Sequence, residues 1–592
     1  MSTTRPELVG DFGMVASTHW LASAAGMSVL ERGGNAVDAA VAAGFVLQVV
    51  EPHLNGPGGE VPILLADPRE PDVRVVVGQG TAPAAATIEA FADLGLDRVP
   101  GTGLLAATVP GAFGAWTLLL ERWGSWRLRE VLEYAVHHAE AGWPVLAATV
   151  RTMATVEQLF REEWTDSART WLGAGLPQPG DRVTNPALAA TYRRVVAEAE
   201  SASPSREGQL VAARRVWYEG FVAERVGQYC ADQQVMDTSG RRHAGLLAAS
   251  DLAGWAPSVE DAVSIDYHGV TVCKTGPWGQ GPVLAQQLSL LSGFDLAGMG
   301  VRSADFVHTV VEATKLAFAD REAWYGDPLA VDVPLAQLLD ERYAASRRPL
   351  IGPDASYELR PGSPDGRVPQ LPAGLRTAAP ADRGAGVGEP TVERDGSTRG
   401  DTCHLDVVDR EGRMVSATPS GGWPQSSPTI PDLGFCLGTR AQMFWLEPGL
   451  ASSLRPGTRP RTTLTPSMAL RDGQPWMAFG TPGGDQQDQW SLVFFLTVMH
   501  TGLDLQAAID APMWHSAHMP SSFYPRQSQP GRLVVEDRLN PAVVAELVRR
   551  GHDIEVVDGW SLGRLSAVTR GRDGFVRAGA NSRGAQGYAV GR

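Results

Sequence analysis

The stretch from about 348 to 401 constrains the fold more than any other feature of this 592-residue sequence. It is rich in Pro, Gly, Asp and Arg and contains few large apolar side chains. Such a composition buries too little surface to join a core, so it predicts an exposed, mobile linker. The linker divides the chain into two parts and ends directly before Thr402.

The two parts carry different periodicities. Before the linker the patterns are mainly helical, and Gly33-Gly34-Asn35 separates two helices predicted within 20–50. After Thr402, the turn signal at 409–412 lies between two strands predicted at 405–408 and 414–417. The predicted sheet is completed by further strands at 477–480, 533–535, 554–557 and 565–569, and a helix is predicted at 490–500. Consecutive strands with helices indicate an α+β fold.

Charge and cysteine content narrow the class of protein. The chain has 51 Lys and Arg against 66 Asp and Glu, a formal charge of −15. Such a balance does not favour binding to phosphate backbones, so no nucleic-acid partner is expected. The four cysteines form no C-x-x-C pair, and the sequence shows no secretory signal and no apolar run long enough for a bilayer. A cytoplasmic enzyme without a membrane partner is the resulting expectation.

Other chemistries have weak support. His515 and His518 have ligand-like spacing, but no third ligand is evident, so neither a metal site nor a cofactor is expected. The sequence contains neither a G-x-S-x-G nor a G-x-x-x-x-G-K-[ST] motif. The adjacent Asp320 and Arg321 are interpreted as a structural ion pair.

Thr402 lies in Gly400-Asp401-Thr402-Cys403-His404, where the linker meets the first predicted strand. If the Asp401–Thr402 bond is cut, Thr402 gains a free α-amine with a reference pKa of roughly 7.7–8.0. That amine can accept the proton of the Thr402 hydroxyl without a separate histidine. On its own, a threonine at the start of a strand is more often an ordinary surface residue.

Two further segments suit acyl-transfer chemistry. In Thr481-Pro482-Gly483-Gly484, the glycines let backbone N–H groups approach a developing oxyanion. The adjacent hydroxyls of Thr462 and Thr463, in a proline-bounded loop, suit hydrogen bonding to a carboxylate or carbonyl. Taken singly, both segments are also compatible with ordinary turns.

These segments occur in order with other motifs, and together they resemble the γ-glutamyltranspeptidase family over nearly the whole chain. The matching stretches are Gly13–Ser17, Gly33–Ala40, Glu51-Pro52 with Gly56–Gly59, Val109–Gly111, Ala317–Arg321 with Tyr325–Pro328, Asp401–His404 and Pro482–Gly484. Each motif alone is weak, whereas the ordered set is specific.

The resemblance implies an N-terminal-nucleophile hydrolase whose αββα sandwich is formed jointly by two chains of one precursor. Cleavage between Asp401 and Thr402 would give a large chain, 1–401, and a small chain, 402–592. Thr402 matches the nucleophile, and Ser420 matches the threonine that hydrogen-bonds it and assists cleavage. Gly483 and Gly484 match the oxyanion-hole pair, and a dimer of such heterodimers is a further expectation.

The expected substrate site departs from the family pattern. Thr462 and Thr463 match two serines that hold the substrate's α-carboxylate. Gln79 falls near the family's arginine clamp, and a neutral amide cannot replace a bidentate guanidinium. Arg440 falls in the segment that normally receives the substrate's α-amino group, and no acidic residue is found there. Gln79 and Arg440 are therefore predicted to line a pocket for something other than a free glutamyl zwitterion.

The family also implies the candidate activities. The leading one is hydrolysis or transfer of an acyl group from a small γ-glutamyl or related amide or peptide, through an acyl-Thr402 ester. Related family members include cephalosporin and glutaryl acylases and oxamate-type amidohydrolases. The alternatives are a C–C bond hydrolase, as proposed for some homologues in antibiotic pathways, and an uncut, non-catalytic homologue.

Overall fold

A computed structural model describes residues 3–173, 175–376, 402–583 and 587–592. Two seven-stranded antiparallel sheets stack face to face, and helices cover the outer face of each. In chain order the strands are β1 Leu8–Gly10, β2 Met14–Ser17, β3 Val61–Ala66, β4 Arg74–Gly78, β5 Trp143–Pro144, β6 Arg182–Val183, β7 Val235–Met236, β8 Arg242–His243, β9 Ser258–Asp261, β10 Val263–Tyr267, β11 Val270–Lys274, β12 Leu405–Val408, β13 Met414–Ala417, β14 Ser467–Arg471, β15 Gln474–Gly480, β16 Trp514–Ser516, β17 Arg532–Glu536, β18 Asp553–Val557, β19 Ser566–Arg570, β20 Val576–Ala580 and β21 Tyr588–Gly591.

The helices fall mostly before the predicted linker. They are α1 Trp20–Glu31, α2 Ala36–Val50, α3 Ile88–Asp93, α4 Ala112–Trp123, α5 Leu128–Ala141, α6 Ala147–Glu162, α7 Thr165–Ser167, α8 Pro186–Ala202, α9 Arg206–Tyr218, α10 Phe221–Asp232, α11 Ala249–Ala253, α12 Gly281–Leu291, α13 Leu296–Met299, α14 Ala304–Trp324, α15 Leu335–Leu338, α16 Glu341–Arg347, α17 Ala373–Arg376, α18 Gln487–Thr501, α19 Leu505–Ile509 and α20 Pro541–Arg549. A π-helix at Ala168–Leu172 continues from α7. Turns of 3₁₀ helix lie at Arg348–Leu350, Pro364–Gly366, Arg440–Met443 and Gly484–Gln486. Among the described residues, no helix combines the length and apolarity that a bilayer crossing requires.

The two sheets form the centre of an αββα sandwich. Sheet I has the order β21-β2-β12-β13-β3-β4-β9, and sheet II has the order β1-β20-β19-β15-β14-β11-β10. Alternation along β3 shows how the layers form: Ile63 and Leu65 pack with the helices, whereas Leu64 packs between the sheets with residues of sheet II. The predicted α+β sandwich is therefore confirmed, with β12 and β13 at the middle of sheet I.

The two helices predicted within 20–50 are confirmed as α1 and α2. Gly33 has φ +91°, which breaks the first helix, and the Asn35 side chain caps the second by accepting from Val37 and Asp38 N–H. Every residue of α2 is buried, since this helix packs against β12, β13 and α5. Its Ala/Val-rich composition on all faces follows from that position.

The strand predictions need one correction. The strands at 405–408 and 414–417 pair in register, and those at 477–480 and 565–569 belong to sheet II. The strands predicted at 533–535 and 554–557 do not join the main sheets. They are β17 and β18 of a separate three-stranded sheet, where they pair in parallel because α20 supplies the crossover between them.

The first half of the predicted linker, up to residue 376, is held against the helices of sheet II. Arg348 donates to the carbonyls of Ser289 and Leu290 on α12. The Gly362 N–H donates to Asp320 on α14 at 2.6 Å. This half of the run therefore does not project freely into solvent as its composition predicted. Residues 377–401 lie outside the described residues, and with them Asp401 of the predicted cleavage site.

Candidate active site

Thr402 lies three residues before β12, where the chain enters the centre of sheet I. It forms an antiparallel bridge with Ser420, and its Oγ1 lies 3.1 Å from Ser420 Oγ. Both side chains are only 1% exposed. The two hydroxyls that the sequence assigns to the nucleophile and its partner are thus in direct contact in the protein interior.

A ladder of polar side chains continues from this pair between the two sheets. Because successive side chains of a strand alternate, Thr402, His404 and Asp406 share one face. Opposite them on the neighbouring chain segment lie Ser420, Thr418 and Ser416.

Within the ladder, His404 Nδ1 lies 2.9 Å from Thr418 Oγ1, and its Nε2 lies 3.0 Å from the Asp406 carboxylate. Asp406 also accepts from Ser416 Oγ at 2.7 Å and from Ser566 Oγ of sheet II at 2.9 Å. The ladder therefore ties the nucleophile strand to its neighbour and to the opposite sheet through satisfied hydrogen bonds.

The opposite face of the same strand carries Cys403. Cys403 Sγ donates to Glu51 Oε2 at 3.2 Å, and Glu51 also accepts from Thr18 Oγ1 at 2.5 Å. Burial and the Glu51 carboxylate raise the pKa of the Cys403 thiol well above its usual range. Cys403 therefore stays protonated, and its side chain lies on the helix side of sheet I, away from the face that carries the Thr402 hydroxyl.

Arg440 lies next to Ser420. Its Nη2 donates to Ser420 Oγ at 2.7 Å, and its Nε forms a buried ion pair with Glu60. The guanidinium carbon lies 5.1 Å from the centre of the Trp423 ring and 5.6 Å from that of Phe523. The structure thus places Arg440, predicted as a substrate-binding residue, in contact with the predicted nucleophile pair.

The glycine turn after β15 follows a strand end that lies against His404. A Cβ at Gly480 would clash with the His404 ring, which fixes how closely the end of β15 approaches the nucleophile strand. Gly483 has φ +129°, and a Cβ there would clash with Trp490. Only glycine fits this position without strain, and the resulting turn leads into the 3₁₀ turn that begins at Gly484.

Gln280 joins the glycine turn to the Thr462–Thr463 loop. Its side-chain amide donates to Gly484 O at 3.3 Å, and its backbone N–H donates to Thr462 O at 2.9 Å. Thr462 Oγ1 accepts from the Leu464 N–H at 3.3 Å. No local pattern indicates this role of Gln280, because Gln280 contacts two segments that are distant from it in the chain.

Two predicted substrate-binding residues are buried without hydrogen bonds from their side chains to the described part of the chain. Gln79, directly after β4, is 1% exposed, and neither of its amide atoms has a partner there. The same holds for Oγ1 of Thr463, which is also 1% exposed. Unpaired buried polar atoms are costly, so these groups have the capacity to pair with a ligand.

The predicted ion pair between Asp320 and Arg321 is wrong. Arg321 pairs with Asp485, the residue after Gly484, and also donates to Gln280. Asp320 instead accepts from Tyr343 Oη at 2.7 Å and from the backbone of the linker. Neighbouring helical side chains point in different directions, so Arg321 reaches the glycine turn and Asp320 reaches the segment before the predicted cleavage site.

The Arg321–Asp485 pair fixes the residue that follows the glycine turn. Burial alone would raise the pKa of Asp485, but Arg321 and the N–H and hydroxyl of Ser522 hold that pKa below its usual value. The Asp485 carboxylate is therefore charged and fully engaged in holding the turn.

Metal-ligating atoms converge at one place within the described ranges, and this place does not include His515 or His518. His308, Glu312 and His552 bring their ligand atoms within 4.8 Å of one another. However, His308 Nδ1 lies 2.9 Å from His552 Nε2, and Glu312 forms ion pairs with Lys315 and Arg360. These groups satisfy one another, and the two cations oppose the binding of a metal ion.

The αββα sandwich, with a hydroxyl at the start of a central strand between the two sheets, defines the class of N-terminal-nucleophile hydrolases. More narrowly, the chain belongs to the γ-glutamyltranspeptidase family, whose family model matches residues 22–591.

Individual relatives agree with this placement. The solved structure of LmbA2991HD is 57% identical, with full coverage of both chains and a TM-score of 0.95. The glutathione hydrolase-like YwrD proenzyme of Bacillus subtilis is 30% identical over 99% of each chain. The acylase ACY 1 proenzyme of Pseudomonas sp. strain SE83 is 31% identical over 96% of this chain and 92% of the relative.

The relatives carry names of one enzymatic class: glutathione hydrolases, acylases and an oxamate amidohydrolase. The chain is therefore a hydrolase of the γ-glutamyltranspeptidase type. The proenzyme names of these relatives fit a precursor that is processed into a large and a small chain and acts on small molecules.

Proposed function

We propose that this protein is a self-processing N-terminal-threonine amidohydrolase or acyltransferase whose nucleophile is Thr402. The observation that carries the proposal is the buried contact of 3.1 Å between Thr402 Oγ1 and Ser420 Oγ, at the start of the central strand. The high pKa of the neighbouring Cys403 thiol supports the choice of hydroxyl over sulfur.

Processing begins when Thr402 Oγ1 attacks the carbonyl carbon of residue 401. The C–N bond breaks, the hydroxyl proton passes to the departing nitrogen, and residue 401 becomes an ester on Thr402. Water then hydrolyses the ester. The products are a large chain with a new carboxylate and a small chain with a free hydroxyl and a free α-amine at Thr402.

In turnover, the α-amine of Thr402 accepts the hydroxyl proton as Oγ1 attacks the substrate carbonyl. The backbone N–H groups of Gly483 and Gly484 stabilise the oxyanion, and the proton passes to the leaving amine. The acyl-Thr402 ester is then opened by water or by a second amine. Gln79, Thr462 and Thr463 are proposed to contact the acyl substrate, because the first and last offer buried polar atoms that need partners.

A time course of the purified protein tests this proposal, with a denaturing gel and intact-mass analysis during incubation with a γ-glutamyl anilide and a panel of acyl amides. Two chains, the smaller beginning at Thr402, with amine release and a transient acyl adduct on the small chain, are expected. A single full-length band that stays unchanged, as in Thr402→Ala, would favour the non-catalytic alternative.

A second candidate, hydrolysis of a C–C bond next to a carbonyl by the same nucleophile, is favoured by Gln79. The family's clamp position carries a buried neutral amide here, which cannot provide a bidentate ion pair for a glutamyl carboxylate. Turnover of a dicarbonyl substrate, with no amine release from any amide, would select this candidate.

A further inference from the structure

Arg440 and Glu60 form a unit with Ser420 that reaches the nucleophile. Two backbone hydrogen bonds fix Glu60 opposite Ser420, at 2.8 and 3.0 Å, and the Glu60 carboxylate pairs with Arg440 Nε. Arg440 Nη2 closes the triangle by donating to Ser420 Oγ at 2.7 Å. The side chains of Glu60 and Arg440 are 2% and 1% exposed, so solvent does not screen the pair.

The hydrogen-bonding groups of Ser420 and Arg440 determine which of them donates in this contact. A guanidinium has only donors, so Ser420 Oγ must be the acceptor of the bond from Arg440. A hydroxyl has one proton and two lone pairs, and the Arg440 bond occupies a lone pair without using the proton. The Arg440 bond thus leaves the Ser420 proton available, and Thr402 Oγ1 lies within its reach at 3.1 Å.

The position of the charge fits the same role. As Thr402 Oγ1 gives up its proton and attacks, negative charge develops on that oxygen. A hydroxyl that already accepts from a cation is a stronger donor to such an oxygen, because hydrogen bonds in a chain polarise one another. The Trp423 and Phe523 rings lie beside the guanidinium, and Glu60 holds its Nε edge, so Arg440 keeps this orientation.

We propose that Arg440, held by Glu60, is a positioning residue that directs the Ser420 hydroxyl proton to Thr402 Oγ1 during both processing and turnover. The inference rests on the proposed function of Thr402. It assigns Arg440 an action through Ser420, whereas the sequence predicted direct contact with substrate. The competing role is direct binding of substrate by Arg440. Its Nη1 is buried without a partner in the part of the chain described and would be the atom that contacts the substrate.

A double-mutant cycle separates the two roles. Arg440→Met, Ser420→Ala and the double variant are compared with the unaltered chain in the first-order rate of chain cleavage and in kcat and KM, normalised to the cleaved fraction. Arg440→Met is expected to lower the cleavage rate and kcat by about 10- to 100-fold with little change in KM, as for loss of a hydrogen bond to a charged group. In the Ser420→Ala background the same change should cost less than about twofold, because the group through which Arg440 acts is gone.

The proposal would be overturned if Arg440→Met lowered the rate as much in the Ser420→Ala background as in the unaltered chain. It would also be overturned if Arg440→Met changed only KM. If a variant is cleaved too slowly for turnover to be measured, the double-mutant cycle is calculated from the cleavage rates alone. Arg440→Lys and Glu60→Gln extend the test: the first should recover part of the rate, and the second should reproduce a smaller loss that disappears with Ser420→Ala.

Arg214→Met is the matched control, because it breaks a half-buried Arg–Glu pair, with Glu121, that does not contact the site. It should leave the cleavage rate unchanged, and thermal unfolding of every variant identifies any that fail to fold. Failure of the proposed function can be distinguished from failure of the Arg440 proposal. In the first case the unaltered chain itself remains uncut.

Discussion

The proposed nucleophile region and the proposed acyl-recognition region are both buried, but they differ in how their polar side-chain atoms are hydrogen-bonded. In the nucleophile region, from Thr402 and Ser420 along the ladder to Asp406, side chains hydrogen-bond to one another across β12 and β13. In the acyl-recognition region, Gln79 and Thr463 bury polar side-chain atoms with no partner among the described residues. Under the proposed function, the first arrangement is ready before substrate arrives, whereas the second is completed by substrate.

This difference separates reactivity from specificity. Preorganised groups accelerate a reaction because they need no rearrangement when charge develops. Unpaired buried groups instead discriminate between ligands, because a ligand that leaves them unpaired binds poorly. The comparison therefore predicts that changes near Thr402 affect kcat, and that changes at Gln79 and Thr463 affect KM and the choice of substrate.

The largest effect is expected from Thr402→Ala, which removes the nucleophilic oxygen from the completed region. Both chain cleavage and turnover should fall by at least about 10⁴-fold, as for loss of a covalent nucleophile. A gel time course and a turnover assay measure the two losses. Thr402→Ser, which keeps a hydroxyl, is the matched control and should retain measurable cleavage. Equal cleavage in the Ala variant and the unaltered chain would contradict the assignment.

Gly483→Ala should have the next largest effect, because its φ of +129° and the nearby Trp490 leave no room for a Cβ. The displaced turn should lower kcat by about 10²- to 10³-fold, as for loss of an oxyanion donor. Gly473→Ala is the control: Gly473 also has positive φ, +74°, but lies in open space in the β14–β15 turn. If both variants lost kcat equally, backbone strain alone would explain the result and the oxyanion role would be refuted.

Thr463→Val tests the acyl-recognition region, since it keeps the side-chain shape and removes a hydroxyl that has no hydrogen-bond partner among the described residues. KM should rise by about 10-fold, while the free energy of unfolding should stay equal or increase. Thr465→Val is the matched control, because Thr465 Oγ1 donates to the buried Asp488 at 3.1 Å. That change should lower the free energy of unfolding by about 1–2 kcal/mol. Destabilisation by Thr463→Val would show that its hydroxyl is already satisfied without substrate.

The smallest expected effect is on how the free energy of unfolding changes with pH, through His19. Burial, together with the nearby His138, lowers the pKa of His19 to about 3, while the unfolded chain binds that proton near pH 6.5. The unfolded state therefore holds more protons between these values, and the free energy of unfolding falls as pH drops from 6.5 towards 3.

His19 contributes up to about 1.4 kcal/mol per pH unit to this slope. It caps α1 by accepting from the Leu21 N–H at 3.1 Å, and His19→Asn keeps an acceptor there without a titrating group. Denaturant unfolding at pH 6, 5 and 4 gives the slope of the free energy of unfolding against pH. That slope should be smaller by this amount in the variant. An unchanged slope would mean that His19 is protonated in the folded state.

The sequence could predict what depends on local pattern and on ordered motifs. The break at Gly33 and Asn35, the hairpin around 409–412 and the position of Thr402 follow from turn chemistry and periodicity. The pairing of Thr402 with Ser420 came from the family resemblance, because the two residues are separated by a complete hairpin. The alternation of Thr402, His404 and Asp406 indicates one polar face in the sequence, but their partners come from residues 416–420 and from Ser566 of sheet II, which only the fold brings close.

Contacts between distant segments could not be predicted in this way. Arg321 was assigned to its neighbour Asp320, but its charge is matched by Asp485, which lies far away in the chain. Similarly, Glu60 follows a glycine-rich turn and gave no indication of its ion pair with Arg440. Such pairs depend on how sheet I and the loops around it are assembled, and no local pattern encodes that information.

The central claim is that Thr402 becomes the first residue of a new chain and reacts through its own hydroxyl. The most direct test is intact-mass analysis with N-terminal sequencing of the active protein, before and during incubation with an acyl substrate. The account predicts a small chain of residues 402–592 that begins with Thr402 and transiently gains the mass of one acyl group. An active sample in which the bond before Thr402 remains intact would contradict it.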